Sequence, residues 1–401
     1  MDHGDEIPIG QRIREIRRYR GLGLRAAAQL SGISYGHLGK IERGEKPVDS
    51  RRMLEDIART LRIHPAELAG GPFIPVDASS NTAHASLEAI EVTLTEWLPG
   101  EVPDDRPARP WHVACSDFNR LVHELRPTSD YAEMGTLVPD LMHDFLIYSA
   151  DPRRRAEALK ALISTYQATG RVTSALGAAH LGYLAAERVM VAADLLEDPD
   201  WLGVAAWTRA QYISSLTRRR QYDLAVKAAE LENARLESRG MAHLTAALAA
   251  AAQGDRERAE THLDEASDMA DALDLANSDW GAGTMNFGRT NVGIWRVAIG
   301  VELGAGAGIA EVARGVEWQA IPISRQGAYW MELGRGLLQD KRTRVAGMQA
   351  ILQAEELTPQ QVRSNPFVRD AVSSMLTVAR RDAGGLDLRG LAYRMGVAPI
   401  G

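Results

Sequence analysis

Between Leu24 and Gly44 the chain reads LRAAAQLSGISYGHLGKIERG, two short stretches of helical period divided by one glycine. Ile33, Leu38 and Ile41 recur as an inward set, which leaves Tyr35, Gly36, His37 and Lys40 on the outward side of the second stretch. Gly32 supplies the positive φ that a tight turn demands, and Ser34 stands where a hydroxyl caps the exposed amides of a first turn. Ala28 is small where the two helices meet. Helix, short turn, helix is the arrangement that lets a second helix enter a DNA major groove while the first crosses the backbone. Lysine donates to guanine O6 and N7, and an aromatic ring packs on a thymine methyl, so the outward residues suit base edges.

The flanks extend this into five helices. IGQRIREIRRYRG places Ile9, Ile13 and Ile16 on one stripe with Arg12, Arg14, Arg18 and Arg20 around it, and Gly21 stops it. A second helix spans Leu24 to Ser31, and the third runs from its Ser34 cap to Arg43, where Gly44 closes it. Ser50 caps a fourth with Leu54, Ile57, Ala58 and Leu61 inward, and Pro65 opens a short fifth ending near Leu68. Residues 12–62 carry 13 Lys and Arg against 6 Asp and Glu, while the whole chain is at −7, so positive charge is concentrated near the N-terminus.

With those residues in view, the stretch over roughly residues 9–69 resembles the lambda-repressor-like, or Xre-type, helix-turn-helix family. IREIR at 13–17, GL at 21–22, SGIS at 31–34 and above all LGKIERGEKP at 38–47 carry the resemblance. It implies base contacts by Tyr35, Gly36, His37 and Lys40, and phosphate contacts by Ser34, Arg43 and Lys46. Arg17 and Glu42 match the pair that forms an internal ion pair in that family. Gly23 and Leu24 depart from its pattern, standing where a hydroxyl cap and a phosphate-binding glutamine are common, and Arg25 is the candidate to take over that phosphate contact.

Beyond this head, GGPFIPVDASSNT at 70–82 has linker composition, and PGEVPDDRPARP at 99–110 has too many prolines for a helix. From Trp111 onward helical period dominates. WMELGRGLL at 330–338, followed by Ala346, Ala350 and Pro359, matches the tetratricopeptide pattern nearly throughout, with Leu337 replacing the tyrosine and Ala350 the phenylalanine. Ala225 and Ala259, one repeat length apart, fall at the small position of a second helix, where paired helices approach closely. GAGAG at 304–308 reads as the turn between two helices of a repeat. The expected fold is therefore all-α: residues 1–70 a five-helix DNA-binding domain, 71–82 a linker, and 83–401 a tetratricopeptide-like α-solenoid that senses a ligand and dimerises.

That layout resembles bacterial repeat-containing regulators, among them the peptide-responsive Rgg, PlcR and PrgX group and a large class of actinobacterial regulators. The resemblance implies a cytoplasmic homodimer on a roughly palindromic operator in double-stranded DNA, with a peptide or small-molecule effector. In NSDWGAGTMNFGRTNVGIW, 277–295, side-chain amides and aromatics concentrate; Asn286, Arg289, Asn291, Trp295 and, further on, Arg325 are the candidate effector contacts. A second reading stays open, in which the array is a protein-interaction scaffold without a small ligand.

Other classes are disfavoured. The histidines are scattered, and no zincin, nucleophile-elbow, phosphate-loop or dinucleotide motif occurs, so no catalysis, metal or cofactor is expected. A single cysteine, Cys115, permits no internal disulfide. No apolar run reaches the length of a membrane span, and MDHGDEIPIG lacks the layout of a signal peptide.

Overall fold

The computed structural model describes residues 7–69, 78–213, 217–278, 280–281, 285–382 and 386–397. Its head consists of α1 (Ile9–Tyr19), α2 (Leu24–Leu30), α3 (Tyr35–Glu42), α4 (Arg51–Leu61) and α5 (Pro65–Ala69). Local chemistry explains these limits. Ser34 Oγ accepts from the His37 amide at 3.2 Å, and Ser50 Oγ from the Met53 amide at 3.3 Å, so each hydroxyl satisfies a first-turn donor. Gly32 turns the chain between α2 and α3 at φ 66°. At Gly10 a Cβ would lie only 1.9 Å from the Ile41 carbonyl oxygen, so a larger residue there would push α1 off α3. Ile9, Ile13, Ala28, Leu38, Ile41, Ile57 and Leu61 fill the space the five helices enclose.

The remainder comprises α6 (Ala78–Glu96), α7 (Trp111–Arg120), α8 (Arg126–Thr128), α9 (Tyr131–Tyr148), α10 (Arg155–Ala175), α11 (Ala179–Leu196), α12 (Pro199–Tyr212), α13 (Arg218–Ala229) and α14 (Leu236–Ala252). Then follow α15 (Arg256–Leu273), α16 (Arg289–Glu302), α17 (Ile309–Arg314), α18 (Ile323–Leu338), α19 (Arg344–Leu357), α20 (Pro359–Arg363), α21 (Pro366–Asp382) and α22 (Leu386–Arg394). No strand occurs among the described residues, and the fold is all-α. Consecutive helices pair, α10 with α11, α12 with α13, α14 with α15 and α18 with α19, and stack into an array. No described helix is long and apolar enough to cross a membrane.

Small residues set the pairing distance. Ala225 in α13 and Ala259 in α15 are fully buried in the second helices of their pairs. In the α18–α19 pair a Cβ on Gly334 would meet Ile351 at 2.7 Å, and one on Gly347 would meet Leu338 at 3.0 Å. Ala346, assigned to that contact from the repeat pattern, is exposed instead; Gly347, one position on, is the residue that faces the partner helix. The 304–308 glycines form the α16–α17 connection. Residues 70–77 of the expected linker lie outside the described residues, whereas 78–82 belong to α6 rather than to a linker.

The head does not stand apart from the array. Phe367, at the start of α21, is buried within the head's own apolar core. Asp370 Oδ2 accepts from the Val48 amide at 2.7 Å, and Glu55 pairs with Arg218 at 2.9 Å. Glu302, at the end of α16, accepts from the Arg51 amide at 2.8 Å and pairs with the side chains of Arg51 and Arg335. Arg335 also donates to the Asp49 carbonyl at 3.2 Å, and its guanidinium lies 4.5 Å from the Phe367 ring centre. Desolvation alone would raise the Glu302 carboxyl, but Arg51 and Arg335 outweigh it and hold it below the usual carboxylate range.

Candidate nucleic-acid interface and a cavity in the array

On α3, Leu38, Gly39, Ile41 and Glu42 are buried while Tyr35, Gly36 and Lys40 are exposed. The Tyr35 ring keeps 55% of its surface accessible, and the Arg25 guanidinium lies 5.7 Å from its centre, which joins α2 and α3 into one outward face. A Cβ on Gly36 would meet nothing within 4 Å, so the backbone there is open to a close approach from outside. Beneath this face Arg17 and Glu42 form a buried two-point pair, Nε to Oε1 at 2.5 Å and Nη2 to Oε2 at 2.7 Å. Arg17 also donates to the Leu22 carbonyl at 2.7 Å, so one side chain ties α1, α3 and the turn before α2 together.

Two expected contacts carry interactions of their own. His37 is half-buried, with its Nε2 enclosed, because position 37 lies one turn from Ile41 and borders the apolar stripe. Burial lowers its imidazole pKa against the opposing pull of Asp49, so it is a neutral group rather than a cation at pH 7. Arg43 donates twice to Glu45, at 2.9 and 3.0 Å, and a phosphate must compete with that carboxylate. Lys46 is exposed in the loop after α3, and Ser34 is exposed with its hydroxyl engaged in the cap.

In the array, four of the five candidate effector contacts converge. Asn286, Asn291, Trp295 and Arg325 line one cavity of about 150 Å³. Arg289 is elsewhere: it lies on the surface, paired with Asp274 at 2.9 Å and Asp271 at 3.5 Å. Arg289 opens α16, and its side chain is spent on the preceding helix and turn. Asn291 connects the rest, donating to the Asn286 carbonyl and accepting from Arg325 Nε at 3.0 Å. Arg325 also lies 5.9 Å from the centre of the Trp295 ring.

Sequence reasoning missed the opposite wall, formed by Arg126, Gln167, Arg171, Trp207, Gln211 and Tyr212. The available signal was Arg171 and Gln167 within α10, a helix whose residues from Leu162 to Gly170 are all buried. An arginine that closely follows such a stretch needs a reason. Arg126 follows a wide π turn, Leu121–Leu125, that no residue pattern announces. A larger cleft, about 830 Å³, lies between α4–α5 and α13–α14; unlike the array cavity, it carries carboxylates among its arginines, with Arg218 paired to Glu55 and Arg59 to Asp56.

With this geometry in place, comparison with known proteins bears on the first 70 residues. Residues 8–69 match the family described as a helix-turn-helix domain. The head is a helix-turn-helix domain. No curated protein matches the chain. Among solved structures, the chain is similar to Bacillus thuringiensis PlcR, crystallised with the peptide PapR7 and DNA: 15% identity, 67% of this chain and 95% of that one covered, TM-score 0.26. That superposition is too loose for any residue's role to be carried over.

Proposed function

We propose that the protein is a sequence-specific transcriptional regulator, with residues 1–70 as the DNA-binding unit and residues 83–401 as the sensing and dimerising unit. Tyr35, Gly36 and Lys40 read base edges, with His37 contributing from the flank; Arg25, Ser34, Arg43 and Lys46 hold phosphates. A cytoplasmic homodimer presents two heads to a roughly palindromic operator, with half-sites one turn, about 34–36 Å, apart. It works by binding, not catalysis.

The observation that carries effector control is α18. Its first turn bears Arg325 in the array cavity, and its last turn bears Arg335 against the Asp49 carbonyl and Phe367. Ten residues of helix, about 15 Å, separate the two. A ligand that favours one position of this helix changes operator affinity by its differential affinity for that position. Selection of random duplexes by the full-length protein tests the reading. Enrichment of a two-fold related site with half-sites about ten base pairs apart is expected; no enrichment over bulk DNA would overturn it.

A further inference from the structure

Among the described residues, the charge of the array cavity is unbalanced. Arg126, Arg171 and Arg325 converge on it from α8, α10 and α18, and no Asp or Glu is among its described lining residues. The bonds that hold two of them go to neutral acceptors. Arg171 Nη2 donates to Ser129 Oγ at 3.2 Å and Gln361 Oε1 at 3.3 Å, while Arg325 Nε donates to Asn291 Oδ1. The carboxylate nearest in influence to Arg325 is Glu332, and that group already bonds Arg335 at 2.6 Å.

Like charges brought together in a recess that solvent reaches only in part raise the energy of the folded state. Desolvation, and then the charge of Arg171, draw the Arg126 and Arg325 guanidiniums down to about 10, which still leaves both cationic at pH 7. The wall also holds buried polar atoms, Arg171 Nε, Trp295 Nε1 and Gln167 Oε1, that have no partner among the described residues. A buried polar wall left in this condition is expected to have a partner from outside.

Size and valence narrow that partner. A volume of about 150 Å³ is the size that holds a single benzene-sized group. A phosphate monoester carries roughly −1.5 to −2 charge and three strong acceptor oxygens at pH 7. Guanidinium N–H groups match such oxygens in number and charge, whereas a carboxylate offers two oxygens and one charge. Trp207 and Trp295 supply flat apolar surface for whatever the phosphate is attached to.

We propose that the cavity bounded by Arg126, Arg171, Arg325, Trp207 and Trp295 is a binding site for a small phosphate monoester, its phosphoryl oxygens held by Arg171 and Arg325. This rests on reading the array as a sensor and gives that sensor its ligand class. Pro322 and Ser324 share the wall with Arg325, so occupancy acts on the first turn of α18.

The test is thermal melting and tryptophan fluorescence of the full-length protein with inorganic phosphate, phenyl phosphate, succinate or chloride at matched ionic strength. A saturable rise in Tm and fluorescence change with the two phosphates, absent in Arg171→Gln and Arg325→Gln, is expected. Each variant removes one cation together with its bonds to Ser129 and Gln361 or to Asn291, so the quantity compared is the ligand-induced shift rather than the ligand-free Tm. If either failed to fold, Trp295→Phe, which keeps the arginines, would be expected to bind inorganic phosphate but lose part of the affinity for phenyl phosphate. Equal responses in parent and variants, or a response to succinate and not to phosphate, would overturn the site or its ligand class. Operator binding by the same preparations separates the two readings: phosphate binding that leaves DNA affinity unchanged retires effector control and keeps the site.

Discussion

The outward face of α3 and the cavity beside α18 are both rich in cationic and aromatic groups, yet they lie on opposite sides of the protein's dielectric boundary. Lys40 and Lys46 stand in water, where a charge costs little and a polyanion of any length can approach. Arg126, Arg171 and Arg325 sit in a recess where the same charges repel strongly and only a compact counter-ion fits. An exposed cation is a weak pointer to function because solvent satisfies it. A recessed cluster with no carboxylate among its described neighbours is a stronger one, since solvent satisfies it less well.

Four substitutions sharpen this contrast, taken from the largest expected effect to the smallest. Glu302→Ala removes the acceptor shared by Arg51 and Arg335, leaving buried cations between head and array; denaturant melts should show a loss of about 3–5 kcal/mol. If stability held, the charges there would be as well hydrated as those on α3.

Asp370→Asn probes a buried carboxyl at the same junction. Burial raises Asp370 to about 7, against the amides of Val48 and Ile9 and the charge of Arg12, with Asp49 adding to the rise. Its folded pKa thus exceeds the unfolded value, so the folded state holds the proton longer, and stability from this group falls as pH climbs from about 4 to 7. The asparagine variant should lack that slope, a difference of up to about 4 kcal/mol across the window. Parallel pH profiles for both proteins would contradict the assignment.

Lys40→Ala should weaken binding to the selected operator by about 1–3 kcal/mol and relax preference at one base pair, with little change in melting temperature. Arg289→Ala should alter neither the phosphate-induced Tm shift nor operator affinity, because its partners are exposed aspartates outside the cavity. A lost phosphate response in that variant would mean that the site reaches further along α16 than the cavity does.

The head was almost wholly legible in the sequence. Its helices are short and bounded by Ser34, Ser50, Gly21, Gly32, Gly44 and Pro65, residues whose local chemistry fixes a turn or a cap whatever surrounds them. The Arg17–Glu42 pair was likewise readable from the resemblance. His37 was not, since a position on the flank of an apolar stripe is exposed or covered according to the loop that follows it. In the array, small residues revealed pairing but not register: Ala346 and Gly347 are adjacent, and only packing decides which one faces Leu338. Half of the cavity was hidden for a similar reason. Arg126, Arg171 and Arg325 are scattered over 200 residues of chain and become neighbours only when the helix pairs stack.

Phe367 has a practical corollary. Because this ring from the far end of the chain belongs to the head's apolar core, the first 70 residues are incomplete as a unit. Grafting that segment onto another sensor, or expressing it alone, would uncover that core; a working chimaera must bring the ring along or fill the hole by redesign.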